Sequence, residues 1–247
     1  MKNHLTIVMS CVFVSLLAKP FAVEPQSSGK LTPTQILEAF KEVSTGNLAD
    51  AVEEATGNPG FMNYDMKPIF KTKIVGPAST AVLRRVLKTD ARTYPNQALQ
   101  ILDEAPSGNI LVYVLEDGLN IAGMGNLMAT TAKVRGLAGA LIDGGVRDVE
   151  EITQIGFSVY SRSITPATSV GRLVSVSKNE PVMCAGVRVR PGDYIMGDWD
   201  GVVVVPVEAV VKVVELIRQY DDKESKMVPI IKETKSMLKA LEKYNRY

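Results

Sequence analysis

The chain has 247 residues, a formal net charge of +1 and 22% charged residues, so it carries no electrostatic footprint for nucleic acid. Its apolar share, 46%, is that of a globular protein. The only histidine is His4, which excludes a Ser-His-Asp triad, a Cys-His pair and histidine-ligated zinc from the body of the protein. Chemistry must come from carboxylates, arginine, lysine and backbone amides, with any metal bound through oxygen.

Lys2, an apolar run from Leu5 to Ala18 and the breakers Lys19 and Pro20 read as a secretory signal over residues 1–22, cleaved after Ala22. The run is shorter than the roughly 20 residues a membrane-crossing helix needs, so no membrane attachment is expected once it is removed. Val8 to Cys11 form a weak lipobox-like string, but the apolar stretch before it is too short for lipidation. The mature protein is therefore expected in the periplasm or outside the cell. Residues 23–30 read as a linker and 31–247 as a single α/β domain with a helical tail from about residue 207. Processing leaves Cys184 as the lone cysteine, so no intramolecular disulfide can form.

Thr32 is placed to cap a helix with Pro33 at its first position, and Ile36, Leu37, Phe40 and Val43 recur at helical spacing. A second helix is expected from about Asn47 to Thr56, ending at Gly57. The run from Ile69 through IVGPAST is β-rich, Ala98–Leu102 is helical, and ILVYVL (110–115) is a strand covered on both faces. A glycine-containing turn then leads into a helix within IAGMGNLMATTAKVRG. LAGALIDGG reads as a buried strand, VEEITQIG as a short helix, and FSVYSRS and RLVSVS as strands. VRVRPGDYIMGDWDGVVVVP reads as three strands joined by Pro-Gly-Asp and Asp-Gly turns, and from Glu208 onward one or two charged helices are bent or broken by Pro229. Strands alternating with helices, then a β-rich stretch and a helical tail, indicate an α/β fold with a mixed sheet.

Two places carry candidate chemistry. Gly123, Gly125 and the run Asn126, Leu127, Met128 stand where a strand gives way to a helix, so their amides and the helix N-terminus suit an anion; a purely structural turn is the alternative. Next, a buried strand runs into Asp143, Gly144, Gly145, Arg147 and Asp148, at the carboxyl end where ligands of open α/β sheets gather. Arg147 can clamp a carboxylate with two hydrogen bonds, and Asp148 can give a hard oxygen to magnesium or manganese. Alternatively, both residues cap the following helix. Lys133 is a Schiff-base candidate or a structural lysine, and Cys184 a nucleophile or a packed small hydrophobe. Asp198 and Asp200 read first as hairpin-turn residues, and Arg188 and Arg190 share one strand face.

The segments STGNLADAV (44–52), IVGPAST (74–80), the long block from Gly125 to Pro166 and PVMCAGVRVRPGDYIMGDWDGVVVVP (181–206) resemble the family of regulator of ribonuclease activity A and the 4-hydroxy-4-methyl-2-oxoglutarate aldolases. The resemblance implies an α/β domain of swivelling β/β/α-like type with helices at both termini. It also implies a homotrimer or a dimer of trimers with sites between subunits. Some members are divalent-metal-dependent lyases that release pyruvate from aldol substrates and from oxaloacetate; another binds and inhibits a ribonuclease without such chemistry. An exported protein would not meet a cytoplasmic ribonuclease. Carried over by position, Gly125 to Met128 match the substrate turn, Arg147 the substrate-contacting arginine and Asp148 the metal-binding aspartate. Glu224 best matches a glutamate reaching in from a neighbouring subunit, with Asp221 and Asp222 as alternatives. The aldolases carry an acid at the second place of the turn, where this chain has Asn126. A neutral amide can hold a water but cannot take a proton.

Overall fold

The computed structural model describes residues 31–86 and 93–244, so the signal and linker readings over 1–30 lie outside the described residues. Helix α1 (Pro33–Glu42) opens on a capping box in which Thr32 accepts from the Gln35 amide while the Gln35 side chain accepts from Thr32, satisfying two otherwise orphan donors. Helix α2 (Thr45–Thr56) begins two residues before the expected Asn47, because Ser44 caps the Asn47 amide; it ends on Gly57 at φ 73°, a left-handed position suited to glycine.

Eleven strands follow among the described residues: β1 (Lys67–Pro68), β2 (Ile74–Arg85), β3 (Ile110–Leu115), β4 (Ala122–Met124), β5 (Gly139–Val146), β6 (Val159–Ile164), β7 (Leu173–Lys178), β8 (Val182–Cys184), β9 (Val187–Val189), β10 (Tyr194–Gly197) and β11 (Val202–Val205). Helices α3 (Gln97–Glu104), α4 (Asn126–Val134) and α5 (Val149–Ile155) separate the central strands, and α6 (Val210–Thr234) and α7 (Met237–Lys243) close the chain. The strand order is β1-β6-β5-β3-β2-β10-β11. β2, β3, β5 and β6 are parallel; β1, β7, β10 and β11 pair antiparallel around them, and β4 adds a short parallel rung beside β5. The mixed sheet is nearly closed. Residues 60–62 bond to β11 through Met62 N–H to Val202 O and Val204 N–H to Gly60 O, and a few residues later β1 pairs with β6 at the opposite end of the strand order.

Alternation along β3 shows why ILVYVL is apolar throughout. Leu111, Tyr113 and Leu115 pack under α3, α4 and α5, whereas Ile110 and Val112 turn to the other side, against Tyr160, Cys184 and Ile195. A third core joins α1, α2 and α6 through Phe40, Leu48, Val213 and Ile217. The tail departs from expectation. Helix α6 runs straight through Pro229, forfeiting only the one hydrogen bond that proline cannot donate, and stops at Lys235, in the left-handed region at φ 51°. The β8–β9 hairpin was not expected either. PVMCAG hides it because Ala185 and Gly186 (φ 43° and 87°) make a two-residue turn in which an alanine stands at a position usually filled by Asn, Asp or Gly. No helix among the described residues is long and apolar enough to cross a membrane.

Candidate functional site

Strand β5 delivers Arg147 and Asp148 at its carboxyl end, and β4 delivers Gly125 beside them; Arg147 N–H donates to Met124 O at 3.1 Å, tying the two strand ends together. Asp148 is the N-cap of α5, yet its side chain makes no capping bond to that helix. The helix-cap alternative is thereby overturned. The carboxylate reaches instead to the neighbouring helix, where Oδ2 accepts the Asn126 amide, the first of α4, at 3.0 Å. A carboxylate at a helix N-terminus is favoured by the unpaired amides and by the helix dipole. To reach it, Asp148 adopts φ 57°, ψ 41°, a left-handed conformation that costs a non-glycine residue free energy and is found chiefly at turns and functional sites.

Gly125 is extended (φ −137°, ψ −173°), so its backbone would accept any residue. Space is what requires glycine: an added Cβ would stand 2.6 Å from Asp148 Oδ2 and 3.0 Å from Arg147 Nε. Arg147 Nε lies 3.5 Å from Asp148 Oδ2, and both side chains are about two-fifths exposed. Leu127 and Met128 occupy the first turn of α4, whose amides have no partner within the helix. Asn126 Oδ1 accepts from Thr130 Oγ1 at 3.1 Å, folding its amide over its own helix. Gly125, Leu127, Met128, Arg147 and Asp148 all line one cleft of 460 Å³.

Asp143, expected in the same cluster, faces the opposite side of the sheet. Its Oδ1 accepts from Arg162 at 3.0 Å and its Oδ2 from the Ala185 amide at 2.7 Å. Arg162 also binds Asp65, and the hydrogen bonds to Asp65 and then Asp143 hold the guanidinium above its ordinary pKa. Cys184 is completely buried beside this group, and burial pushes its thiol well up, so it is a packed hydrophobe and no nucleophile. Lys133 donates to Gly156 O at 3.1 Å, closing the end of α5. Arg190 pairs with Asp193 and Glu208 just beyond β9, and Arg188 is exposed on that strand. Asp198 Oδ1 and Oδ2 bind the Thr45 hydroxyl and amide at 2.7 and 3.0 Å; burial pushes its pKa up, but these bonds and those of the Asp200 and Gly201 amides bring it below the usual value. Glu224 accepts from Asn47 at 3.0 Å, on the α2–α6 layer rather than at the cleft of its own chain.

Other lining residues were not read from the sequence: Leu99, Leu102 and Asp103 from α3, and Thr168, Ser169 and Val170 from the β6–β7 loop. A signal did exist. Leu99 falls off the stripe of Ala98, Ile101 and Leu102 that α3 buries, and Leu127 falls off the Ala129–Ala132 face of α4.

Comparison with known proteins matches residues 45–204 to the RraA-like, Aldolase/RraA family. The chain belongs to that family. A Halalkalibacterium halodurans protein provisionally named 4-hydroxy-4-methyl-2-oxoglutarate aldolase is 31% identical over 172 residues, 68% of this chain and 74% of its own. The Thermus thermophilus protein named as that aldolase is 30% identical over 120 residues, 47% of this chain and 71% of its own. In fold, the chain is similar to Streptomyces coelicolor RraAS2, described as an unusual member of the RNase ES inhibitor RraA family, with TM-score 0.69, 24% identity, and coverage of 80% of this chain and 97% of that one. Aldolase/RraA membership accounts for the mixed sheet and for relatives that carry an aldolase name.

Proposed function

We propose that this Aldolase/RraA protein is a divalent-metal-dependent carbon–carbon lyase for small 2-keto acids, releasing pyruvate by 4-hydroxy-4-methyl-2-oxoglutarate-type aldol cleavage, by oxaloacetate decarboxylation, or by both. The observation that carries this reading is the convergence of Arg147, Asp148 and the first turn of α4 on Gly125, with no room there for a side chain. Arg147 clamps the substrate carboxylate, helped by the Leu127 and Met128 amides. The donor set suits magnesium or manganese: Asp148 Oδ1 takes no hydrogen bond from a described residue, and such ions need only one or two carboxylates, with water and substrate oxygens completing the shell. When bound, the ion supplies Lewis acidity at the keto oxygen, easing rupture of the adjacent carbon–carbon bond.

Among the described residues no three acids, histidines or cysteines gather into a metal cage. In this reading Glu224 completes the site from another copy, in a trimer or a dimer of trimers, and the signal over residues 1–22 places the protein in the periplasm or outside the cell. Asn126 can orient a water but cannot accept the hydroxyl proton that aldol cleavage releases. Decarboxylation needs no such base, so it is the favoured reaction.

Purified mature protein should release pyruvate from oxaloacetate faster with magnesium than magnesium alone does, and Arg147→Ala should lower that rate about 100-fold. A rate equal to the metal-only control refutes the lyase. Asn126 favours one rival, a carboxylate-binding protein without turnover, which calorimetry would reveal as oxalate or pyruvate binding with no product formed.

A further inference from the structure

The cleft is polar at one end only. Arg147, Asp148 and the α4 amides form that end, and Leu99, Leu102, Leu127, Met128 and Val170 form a wall around the rest. Leu127 and Val170 are 82% and 80% exposed, so this wall is apolar surface left open to water beside a charged site, the kind of surface that marks a binding face. The volume, 460 Å³, lies within the range of about 300–1,000 Å³ typical of pockets for drug-sized ligands and exceeds what a three-carbon keto acid fills. Among the described lining residues Arg147 is the only cation, against two acids, Asp103 and Asp148. One carboxylate therefore finds a partner here. A second would face an apolar wall and like charge, and an unpaired charge against apolar surface is costly.

We infer that the preferred ligand is a 2-keto acid with a single carboxylate and a branched aliphatic or aromatic substituent, the substituent lying on Leu99, Leu127, Met128 and Val170. This rests on the keto-acid reading proposed above and narrows it. Oxaloacetate, whose second carboxylate would meet the wall, should then bind weakly and show a high KM. It remains a substrate in this picture, because a setting that disfavours the carboxylate favours its loss as neutral carbon dioxide.

The test is calorimetry of the full mature protein in magnesium chloride with three probes. Pyruvate reports the head group alone; 4-methyl-2-oxopentanoate and 2-oxoglutarate are of similar size and differ chiefly in ending with two methyls or with a carboxylate. The expected result is binding of 4-methyl-2-oxopentanoate at least about tenfold tighter than 2-oxoglutarate, a difference of about 1.4 kcal/mol. Val170→Arg, at an exposed position where folding should be little affected, should strengthen 2-oxoglutarate at least about tenfold and weaken the aliphatic acid. Pyruvate binding together with 2-oxoglutarate as tight as 4-methyl-2-oxopentanoate would overturn the substituent inference and leave the keto-acid reading standing. Failure of all three probes to bind would overturn both. If Val170→Arg melts well below the parent, the comparison on the parent protein decides alone.

Discussion

Replacing Gly125 with alanine isolates the steric part of the site. The extended backbone accepts alanine without torsional cost, so any effect comes from the methyl group. That methyl would stand 2.6 Å from Asp148 Oδ2, 3.0 Å from Arg147 Nε and 3.2 Å from Arg147 Cγ, whereas ordinary contact begins at 3.4 Å. The carboxylate must retreat by most of an ångström, which breaks its 3.0 Å bond to the Asn126 amide. Losing a hydrogen bond to a charged acceptor that is one-third exposed should cost about 1 kcal/mol, or about 2–4 °C in Tm for a domain of this size. The functional cost is larger, because displacing catalytic groups by about 1 Å lowers rates about 100-fold. The assays are a thermal melt, calorimetry with pyruvate and magnesium, and pyruvate release from oxaloacetate. Gly46→Ala is the control: its methyl meets only Ser44 Oγ at 3.7 Å in the first turn of α2, so stability should hold or rise and activity should not change. A Gly125→Ala protein with parental affinity and rate would refute the steric argument.

Asn126→Asp should keep the bond from Thr130 and place a negative charge in the first turn of α4, so the protein should fold and gain aldol cleavage relative to decarboxylation by about tenfold or more; an unchanged ratio would show that the missing base is not what limits cleavage. Asp198 has its native pKa below the reference of 3.8, so its contribution to stability is complete above that value and is lost as pH falls through the native one. Urea unfolding between pH 4 and 2 should be steeper in pH for the parent than for Asp198→Asn, and parallel curves would contradict the assignment. Cys184 should resist a thiol-specific disulfide reagent in the native state and react fully once unfolded. Fast native labelling would place the β8–β9 hairpin elsewhere.

Local rules made most of the fold legible. The Thr32–Pro33 signal, the alternation within ILVYVL and the Gly57 stop each correspond to one short-range interaction, and each element lies where that interaction put it. What escaped involves exceptions to local preference. Pro229 is carried through α6 because a helix whose buried residues run from Val210 to Met227 outweighs one missing hydrogen bond. Ala185 occupies a left-handed turn position because the hairpin it closes packs Val182, Cys184 and Val189 into the core.

The candidate site divides along the same line. Gly125, Arg147 and Asp148 stand near each other in sequence order on β4 and β5, and the rule that ligands gather at the carboxyl ends of strands was enough to bring them together. That Asp148 serves α4 instead of its own helix, and that Asp143 on the same strand serves Arg162 on the far face, depends on which side each Cα presents. Asp143 lies in the regular part of β5, where alternation sends it to the face opposite Ile142. Asp148 lies just past the strand, where a left-handed residue redirects the chain. The apolar wall is the least legible part, because Leu99 and Val170 are separated from Arg147 by whole elements and join it only after β2, β3 and β5 have set the positions of α3 and the β6–β7 loop. Residues close in sequence thus specify which head group the cleft can hold, whereas residues brought in by the tertiary fold specify what may follow it. Substitutions in the first set should abolish binding of every keto acid, and substitutions in the second should change the order of preference among them.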